Sequence, residues 1–510
     1  MNKIFKRYSL IGYEILKKKD LSILDDIKFF VEDQLLANNF FKDKYFYKTY
    51  FNLFLNLRFN KLFLFFYGIS KGSFYVIPIS PMFYDSIEKQ FKIKISKNLS
   101  IIIYYTLLFE RLIVFYLTWV KFIFFIISSK SFDDKSHKKI YLHSVPSETF
   151  KFSNKSNNYI TFIANHFSNY KDRITFYHSN KSISDFTYDK YNFKYSSFPF
   201  RLTKITSIQK FKIVFSSFYS ILNIYFSKNI LINLIDPKSY FILKHINNYY
   251  KSFDFIFFNN SDYLNRPIHS YGKNIEEKVY FLFYSLSCQM SYSLKNKIAF
   301  SPGWKLFDWP NYIVWNKDFN DLFRDYIFDK NTKFKITRNN INLIDTGENI
   351  DLPKKSISIF NVYNRSLIKN YIYCRPKIYE KFTIENSILF ISDIISYCIE
   401  NKIHCFIKEK RKTNITSIKY LKYLENISTN KYIKIVDTNL SAEKMIKKSI
   451  ISFSFPFTST ALLAKNLNKE SFYYDPSNSV TDNHSCNLNI NVIKNKKILY
   501  STLDQFFQKK

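Results

Sequence analysis

The sequence predicts an α/β protein with two doubly wound, Rossmann-like domains facing a cleft, preceded by a helical, aromatic-rich region. Short apolar runs alternate with helical patterns from residue 356 to the C-terminus at 510, and a looser alternation occupies residues 141–330. A polar stretch without periodicity, 331–355, separates them and is the predicted linker. Alternating strands and helices form parallel sheets, and two linked domains leave a cleft between them in which small ligands bind.

Composition is consistent with a globular chain that carries a large positive charge. Of the 510 residues, 46% are apolar and 20% aromatic, which is enough to fill a core in each of two or three domains. The 76 Lys and Arg exceed the 41 Asp and Glu, giving a net charge of +35. Lysine is scattered along the chain rather than gathered on one face, which indicates compositional bias and disfavours nucleic-acid binding. An anionic membrane surface or an anionic phosphate substrate is the partner that this excess positive charge favours.

Several common sites are excluded by what the sequence lacks. The 6 glycines never form a G-x-G pair, so neither a dinucleotide fingerprint nor a P-loop is present. The 5 cysteines have no C-x-x-C spacing, which predicts neither a disulfide framework nor a zinc site. Because no apolar signal segment opens the chain, we expect a reducing cytoplasmic compartment.

The N-terminal region, 1–140, reads as helical. Its most apolar segment, 112–128, is extended backwards by 101–109 across Glu110 and Arg111. A spanning helix would place Lys121 near the bilayer centre at a cost of about 3 kcal/mol. We therefore expect a buried or interfacial helix rather than a true span, and an interfacial helix suits a lipid-linked acceptor.

The two domains follow from their strand and helix patterns. In the first, β-like runs occur at 159–163, 174–178, 255–258 and 279–284. In the second, strands at 356–362, 404–408, 432–436, 450–453 and 471–474 alternate with helices at 384–401, 415–426, 442–448 and 460–467. Right-handed crossovers make the second sheet parallel, and such sheets bind ligands beyond the carboxyl ends of their strands.

Three hydroxyl residues mark the first candidate site. An apolar strand runs into Pro456, and Thr458, Ser459 and Thr460 then open a helix. Free backbone N–H groups and the helix dipole favour a phosphate there, and the hydroxyls add donors. The alternative is that one hydroxyl merely caps the helix, which would explain one of the three residues.

Charged residues follow the neighbouring strands. Lys408, Lys410 and Arg411 would neutralise a diphosphate leaving group, or they form only a solvated loop. Tyr474 and Asp475 end a later strand, where the carboxylate would accept from a ribose or sugar hydroxyl, or form an Asx turn. The chain contains no Asp-x-Asp, the spacing with which many sugar transferases hold a divalent metal ion. We therefore expect that no metal is used and that cationic side chains stabilise the diphosphate instead.

The motifs together resemble a known family. The run Pro456-Phe457-Thr458-Ser459, followed by Ala464-Lys465 and Tyr473-Tyr474-Asp475-Pro476, is similar to the bacterial polysaccharide biosynthesis PFTS motif proteins. Upstream motifs agree over about residues 250–480: Ser261-Asp262-Tyr263-Leu264, Arg266-Pro267, Gly303-Trp304-Lys305 and Trp309-Pro310. The chain departs from the pattern at His269, where an aromatic residue is common, and at Glu409 within the basic loop. Glu409 should alternate to the side opposite Lys408 if the strand persists.

The resemblance implies a surface-polysaccharide or O-antigen biosynthesis protein of GT-B architecture. A GT-B-like glycosyltransferase would move a sugar from a nucleotide-activated donor to a saccharide or lipid-linked acceptor, without a separate cofactor. Asp262 and His269 are the candidate catalytic bases, although Asp262 could bond the following turn and His269 could be structural. Trp304, Trp309 and Trp315 either stack on a sugar or pack between domains.

Three other functions remain open. An alditol-phosphate or CMP-sugar transferase would use the same fold. A non-catalytic assembly protein at the membrane would bind no nucleotide. An RNA-binding protein would show a steep salt dependence of RNA affinity and insensitivity to changes at residues 458–460. For the enzyme we expect peripheral location at the inner face of the cytoplasmic membrane.

Overall fold

The structure is a computed structural model of the chain. It describes residues 3–19, 23–37, 50, 54–55, 59–128, 138–143, 160, 163, 174–178, 182–188, 191–195, 200–202, 206–224, 241, 245, 250–252, 255–259, 266, 276–283, 290–292, 298–300, 303–314, 316–327, 329–337, 353, 355–362, 383–409, 418–438, 440–478 and 487–507.

The N-terminal region is helical, as predicted. Its helices are α1 (Lys3–Lys19), α2 (Ile23–Ala37), α3 (Phe59–Ile69), α4 (Tyr84–Phe91) and α5 (Lys97–Ser128). Helices α1 and α3 cross in direct backbone contact at Gly12 and Gly68, where a Cβ on either residue would collide with a carbonyl oxygen of the other helix. The region has its own aromatic core, in which rings such as Phe59, Phe63 and Tyr67 are buried.

The first sheet is mostly parallel. Its segment of the chain contains β1 (Lys138–His143), β2 (Ile174–His178), β3 (Phe186–Tyr188), β4 (Tyr191–Tyr195), β5 (Phe200–Leu202), α6 (Ser207–Ile224), β6 (Tyr250–Ser252), β7 (Phe255–Asn259), β8 (Val279–Leu282), β9 (Met290–Tyr292), β10 (Ile298–Phe300), β11 (Asn311–Val314), α7 (Lys317–Tyr326) and β12 (Lys333–Ile336). The strand order is β12-β11-β8-β7-β1-β2-β4-β3, with only the β3–β4 pair antiparallel. The antiparallel pairs β5–β6 and β9–β10 lie outside this sheet.

The second sheet is parallel throughout. It is built from β13 (Ser356–Phe360), α8 (Ile384–Glu400), β14 (His404–Lys408), α9 (Ile418–Ser428), β15 (Ile433–Val436), α10 (Ala442–Lys448), β16 (Ile451–Ser454), α11 (Ser459–Asn466), β17 (Glu470–Tyr474), β18 (Val492–Ile493) and α12 (Lys496–Phe507). The strand order is β15-β14-β13-β16-β17-β18. The predicted α/β class with two doubly wound domains is therefore confirmed.

Two details differ from the sequence-based expectation. The predicted β run at 159–163 is wrong where it is described, because Ile160 and Ile163 have helical backbone and pack into the first domain's core. Their spacing of three residues places them on one helix face, so packing has overridden their β-branched propensity. The strands of the first sheet also begin at Lys138 and end at Ile336, slightly beyond the predicted span of 141–330.

The two domains share a hydrophobic cluster, here called the interdomain cluster. From the second domain it contains Phe457, Ala461, Leu462 and Tyr473. From the first it contains the aromatic residues Phe281, Phe283, Phe307, Trp309, Tyr312, Phe319 and Phe323. A salt bridge of 3.0 Å joins Lys465 Nζ on α11 to Asp318 Oδ2 on α7 beside the cluster. The domains thus meet directly at the helix that the hydroxyl residues open.

Candidate functional site

The candidate site lies at the switch point of the second sheet. Strand β13 lies between β14 and β16, and the chain proceeds outward from it in both directions, through β14 to β15 and through β16 to β17. The connecting helices therefore leave towards opposite sides at the carboxyl ends of β13 and β16, and a crevice opens between them. Residues 361 and 455–459 border that crevice.

The turn after β16 has an unusual backbone shape. Phe457 has φ of 63°, the left-handed conformation that a bulky residue rarely adopts. Such a conformation costs about 1–3 kcal/mol and persists only where surrounding contacts hold it. The ring of Phe457 is buried against Tyr473 in the interdomain cluster, with centroids 6.0 Å apart. The neighbouring Thr458 O accepts from Tyr473 Oη at 3.2 Å, so Tyr473 contacts the turn through both its ring and its hydroxyl.

The hydroxyl residues at this turn form a chain of contacts. Ser454 Oγ lies 2.8 Å from Thr460 Oγ1, which lies 3.2 Å from Thr458 Oγ1. Thr458 Oγ1 donates to Phe455 O at 2.9 Å and makes no capping bond to the helix. The alternative of a simple capping role for Thr458 is thus not what this structure has.

The backbone N–H groups of the first turn of α11 have no acceptor within the helix, because the first four donors of any helix lack one. Ser459 is the first residue of that helix. An anion placed in the crevice would meet these donors and the positive end of the helix dipole, whereas the Thr458 hydroxyl proton is already donated to Phe455 O. The predicted phosphate site at 458–460 thus lies at a helix N-terminus on the switch-point edge of the sheet, and phosphate binding there stays a prediction.

Lys408 is at the same sheet edge but points to one side of the crevice. It is the last residue of β14, and its Nζ donates to Thr438 O at 2.6 Å, beyond the end of β15. Burial lowers the pKa of Lys408, while Asp437 and Glu409 act in the opposite direction. Strands β14 and β13 lie between β15 and β16, so its ammonium group is held away from the turn after β16. Lys410 and Arg411 lie outside the described residues.

Glu409 contacts partners different from those of Lys408, consistent with the expected alternation. Its Oε1 accepts from Tyr420 Oη at 2.6 Å and lies 3.4 Å from Asn361 Nδ2. Asn361 Nδ2 also bonds Tyr420 Oη at 2.6 Å. Burial raises the pKa of the Glu409 carboxyl, and the two hydrogen bonds offset part of that rise. Asn361, Glu409 and Tyr420 form a buried polar group beside the switch point.

Sequence reasoning missed this polar group. Asn361 directly follows β13, which ends at Phe360. The predicted strand extends to 362, which makes Asn361 a strand residue and not part of a loop at the sheet edge. Its Oδ1 is buried without a hydrogen-bond partner among the described residues. The signal that could have located it is strand order, because residues following the two strands at a switch point line the crevice.

Tyr474 and Asp475 occupy the carboxyl end of β17. Tyr474 is buried, and its hydroxyl donates to Asp393 Oδ2 on α8 at 2.6 Å, so the hydroxyl faces the domain core. Burial is also the main cause of the raised pKa of Tyr474. Asp475 Oδ1 accepts from Ser477 N at 3.2 Å and from the Ser477 hydroxyl. The Asx-turn alternative for Asp475 is therefore present in the structure.

The first domain supplies the opposite wall. Its own switch point lies between β1 and β7, because β2 and β8 continue outward on either side. Asp262 comes three residues after β7 ends at Asn259, which places that stretch of chain after a switch-point strand. Asp262, His269 and Trp315 themselves lie outside the described residues.

The other two tryptophans pack rather than line an open surface. Trp309 is buried, and Trp304 stacks on Phe307 with centroids 5.1 Å apart. Gly303, with φ of 95°, begins the Trp304 turn, a backbone conformation that favours glycine. Both rings thus pack on aromatic residues that the first domain contributes to the interdomain cluster. Across the described part of the chain, no cluster of His, Cys, Asp and Glu could hold a metal ion.

The fold and the site together define a class: a two-domain α/β protein in which a hydroxyl-rich turn opens a helix at the switch point of the second sheet. Comparison with protein families makes this specific. The sequence matches the family described as "Polysaccharide biosynthesis PFTS motif protein" over residues 221–503. The chain belongs to that family, and the predicted resemblance is confirmed. No curated protein sequence matches the chain.

Solved structures show a distant likeness over most of the chain. The wall teichoic acid polymerase TagF is 10% identical, with 79% of this chain and 90% of that chain covered and a TM-score of 0.39. The OtsA apo structure is 7% identical over 74% of this chain and 92% of that chain, with a TM-score of 0.37. UDP-GlcNAc 2-epimerase from Methanocaldococcus jannaschii is 11% identical over 74% of this chain and 94% of that chain, with a TM-score of 0.36. These scores are low, so the function is inferred from the family and the site.

Proposed function

We propose that the protein is a GT-B-type glycosyltransferase of bacterial surface-polysaccharide or O-antigen biosynthesis. It transfers a sugar from a nucleotide-activated donor to a saccharide or lipid-linked acceptor. The observation that carries this proposal is the turn after β16, where a helix N-terminus and the Ser454, Thr458 and Thr460 hydroxyls meet at the switch point. Membership in a polysaccharide biosynthesis family supports sugar transfer as the chemistry that uses such a phosphate cradle.

The residues have distinct roles in the proposed reaction. The acceptor oxygen forms a bond to the anomeric carbon as the bond from that carbon to the donor phosphate breaks. The departing nucleotide is stabilised by the N–H groups of α11 and the hydroxyls at 458–460, assisted by Lys410 and Arg411. Lys408 would have to release Thr438 O before it could assist them. Asp475, beside Tyr474, positions the donor. Asp262 or His269 takes the acceptor proton. The reaction needs neither a cofactor nor a metal in this proposal.

The alternatives use the same cradle differently. An alditol-phosphate or CMP-sugar transferase would also release a nucleotide there, and product analysis separates these reactions. A non-catalytic assembly protein would not bind nucleotide. We infer a peripheral location at the cytoplasmic face of the membrane, supported by the long apolar helix α5 and the net charge of +35.

A thermal-shift screen against UDP, GDP, CDP, CMP and dTDP tests the proposal. The native protein is compared with a Thr458→Ala, Ser459→Ala, Thr460→Ala variant. A nucleotide at 100 times its dissociation constant should add about 2.7 kcal/mol to the free energy of unfolding. We expect one nucleotide to stabilise the native protein and not the variant.

A matched control is Ser428→Ala, Thr429→Ala at the end of α9, where both hydroxyls bond only nearby carbonyls. This control should keep the nucleotide shift. If no nucleotide stabilises the folded native protein, the transferase proposal fails in favour of the assembly protein. A shift that survives in the triple variant would instead move the phosphate site away from α11.

A further inference from the structure

Helix α5 carries a continuous apolar stripe along its exposed side. Its exposed large apolar residues recur every three or four positions, which is one face of a helix. They are between 41% and 67% exposed: Ile102, Tyr105, Phe109, Ile113, Leu117, Val120, Phe124 and Ile127. The helix rises about 38 Å from Ile102 to Ile127 at 1.5 Å per residue.

The opposite side of α5 packs on protein. Phe115 and Phe122 are buried against Phe241, with ring centroids 4.9 and 5.3 Å apart. Among the described residues, α5 is the one helix that is long and apolar enough to cross a membrane. Only 17% of its most apolar 18-residue segment is buried within the protein. A helix bound to its own domain along one side, with lipid-compatible residues along the other, fits the plane of a membrane better than a crossing of it.

Helix α6 doubles this surface, although sequence reasoning assigned its segment simply to the first α/β domain. Trp119 Nε1 of α5 donates to Ser217 Oγ of α6 at 3.1 Å, and Lys210 Nζ of α6 donates to Ile127 O of α5 at 3.0 Å. The helices therefore run antiparallel, side by side. Helix α6 exposes its own apolar stripe, between 50% and 71% exposed: Ile208, Phe211, Phe215, Phe218 and Tyr219.

The combined area is too large for an ordinary surface. With about 100 Å² from each half-exposed apolar side chain, the two stripes present on the order of 1,000 Å². Monomeric soluble proteins rarely expose apolar patches beyond a few hundred Å². This pair of stripes, the two-helix surface, therefore has an occupant.

Charge identifies the kind of occupant. Helix α6 contains Lys210 and Lys212 and no acidic residue. On α5, Lys97 and Arg111 pair with acidic neighbours, and Lys121 adds a further positive charge. Lys121, next to Val120 on the helix, and Lys212, next to Phe211, are both exposed. Lysine beside an apolar stripe extends its ammonium group towards lipid headgroups. A second copy of this chain would bring like charges together, whereas an anionic bilayer supplies the opposite charge.

We propose that the two-helix surface lies flat in the headgroup region of an anionic lipid bilayer. This goes beyond the peripheral location inferred above, because it makes α6 an equal part of the contact and specifies lipid charge. The contact orients both α5 and the first domain against the membrane. It does not depend on nucleotide binding, so it is tested separately from the proposed function.

Vesicle flotation of the full-length protein tests the proposal. The vesicles contain phosphatidylcholine alone or equal amounts of phosphatidylcholine and phosphatidylglycerol. Native protein should float with the anionic vesicles and less with the neutral ones. Phe211→Glu, Phe215→Glu on α6 should lower the apparent affinity by about tenfold or more, since two exposed rings no longer enter the lipid.

The control variant is Ile418→Glu, Leu421→Glu on α9, whose residues are 73% and 46% exposed in the second domain. It receives the same chemical change and should float like the native protein. Circular dichroism and light scattering accompany each sample. Unchanged flotation of the α6 variant overturns the proposal, because α5 alone would then make the contact. Equal binding to neutral vesicles, or a native dimer that the α6 variant abolishes, overturns it as well.

Discussion

Glu32 offers a test of how the N-terminal helices attach to the first domain. Its Oε1 accepts from Gly303 N and Lys305 N, both at 3.1 Å, on the Trp304 turn. Its Oε2 is buried and has no hydrogen-bond partner within the described residues. Burial raises the pKa of the Glu32 carboxyl from 4.5 to about 8, more than the two backbone bonds and Lys305 lower it. We expect Glu32→Gln to remove this titration while keeping an acceptor oxygen.

The sign follows from where the proton is bound. Between the unfolded pKa of 4.5 and the folded pKa of about 8, the folded carboxyl holds a proton that the unfolded chain has lost. The free energy of unfolding of the native protein therefore falls as pH rises through this window. From about pH 5 to about pH 8 the native protein should lose about 3 kcal/mol relative to Glu32→Gln.

Melting temperature measured against pH is the assay. The native and Glu32→Gln curves should diverge by several degrees as pH rises, with the variant the more stable at the alkaline end. Glu14→Gln is the control, because Glu14 is an exposed carboxylate on α1 that receives the same chemical change. Parallel curves for native and Glu32→Gln would refute the inference that Glu32 is buried as a protonated acid.

Two further changes test the candidate site. Phe457→Ala should lower the free energy of unfolding by about 3–5 kcal/mol through loss of the buried ring. Phe457→Gly should be more stable than Phe457→Ala by about 1 kcal/mol, because glycine adopts the left-handed backbone without strain. Urea midpoints in the opposite order would contradict the left-handed φ at Phe457. Tyr420→Phe should lower the free energy of unfolding by about 1–3 kcal/mol, because Glu409 and Asn361 lose the hydroxyl that they share. Tyr432→Phe, at a half-buried ring before β15, is the matched control. Equal urea midpoints for the two variants would argue against a stabilising role of the polar group.

Local patterns predicted much of the second domain. Strand β14 and helix α10 have the predicted bounds, because apolar alternation and helix-forming residues agree there with the packing. Strand β18 was not predicted, because its two residues are too few to form a recognisable periodic pattern. Helix α12 begins within a lysine-rich run, where charge obscures the apolar face that packs Leu499 and Leu503 into the core.

Longer-range features could not be read from local patterns. The run Thr458-Ser459-Thr460 could be singled out because its residues are consecutive in sequence, whereas the contact of Ser454 with Thr460 appears only in the folded turn. The contact of Glu409 with Asn361 and Tyr420 joins two strand ends and a helix, and it depends on which strands are neighbours. The same holds for α6, whose apolar stripe acquires meaning only beside that of α5. Strand order and helix pairing are properties of the folded chain, and a single sequence does not encode them in any short segment.

The interdomain cluster determines whether the second domain could be separated from the first. The left-handed Phe457 and Ala461 of the first turn of α11 belong to one hydrophobic cluster with Phe319 and Phe323 of the first domain. A fragment beginning at the linker would expose its part of the cluster to water and remove the packing that holds the strained turn. The second domain is therefore not readily separable from the first. Relative movement of the domains would reshape the turn after β16, so release of any ligand held at that turn would be coupled to domain opening.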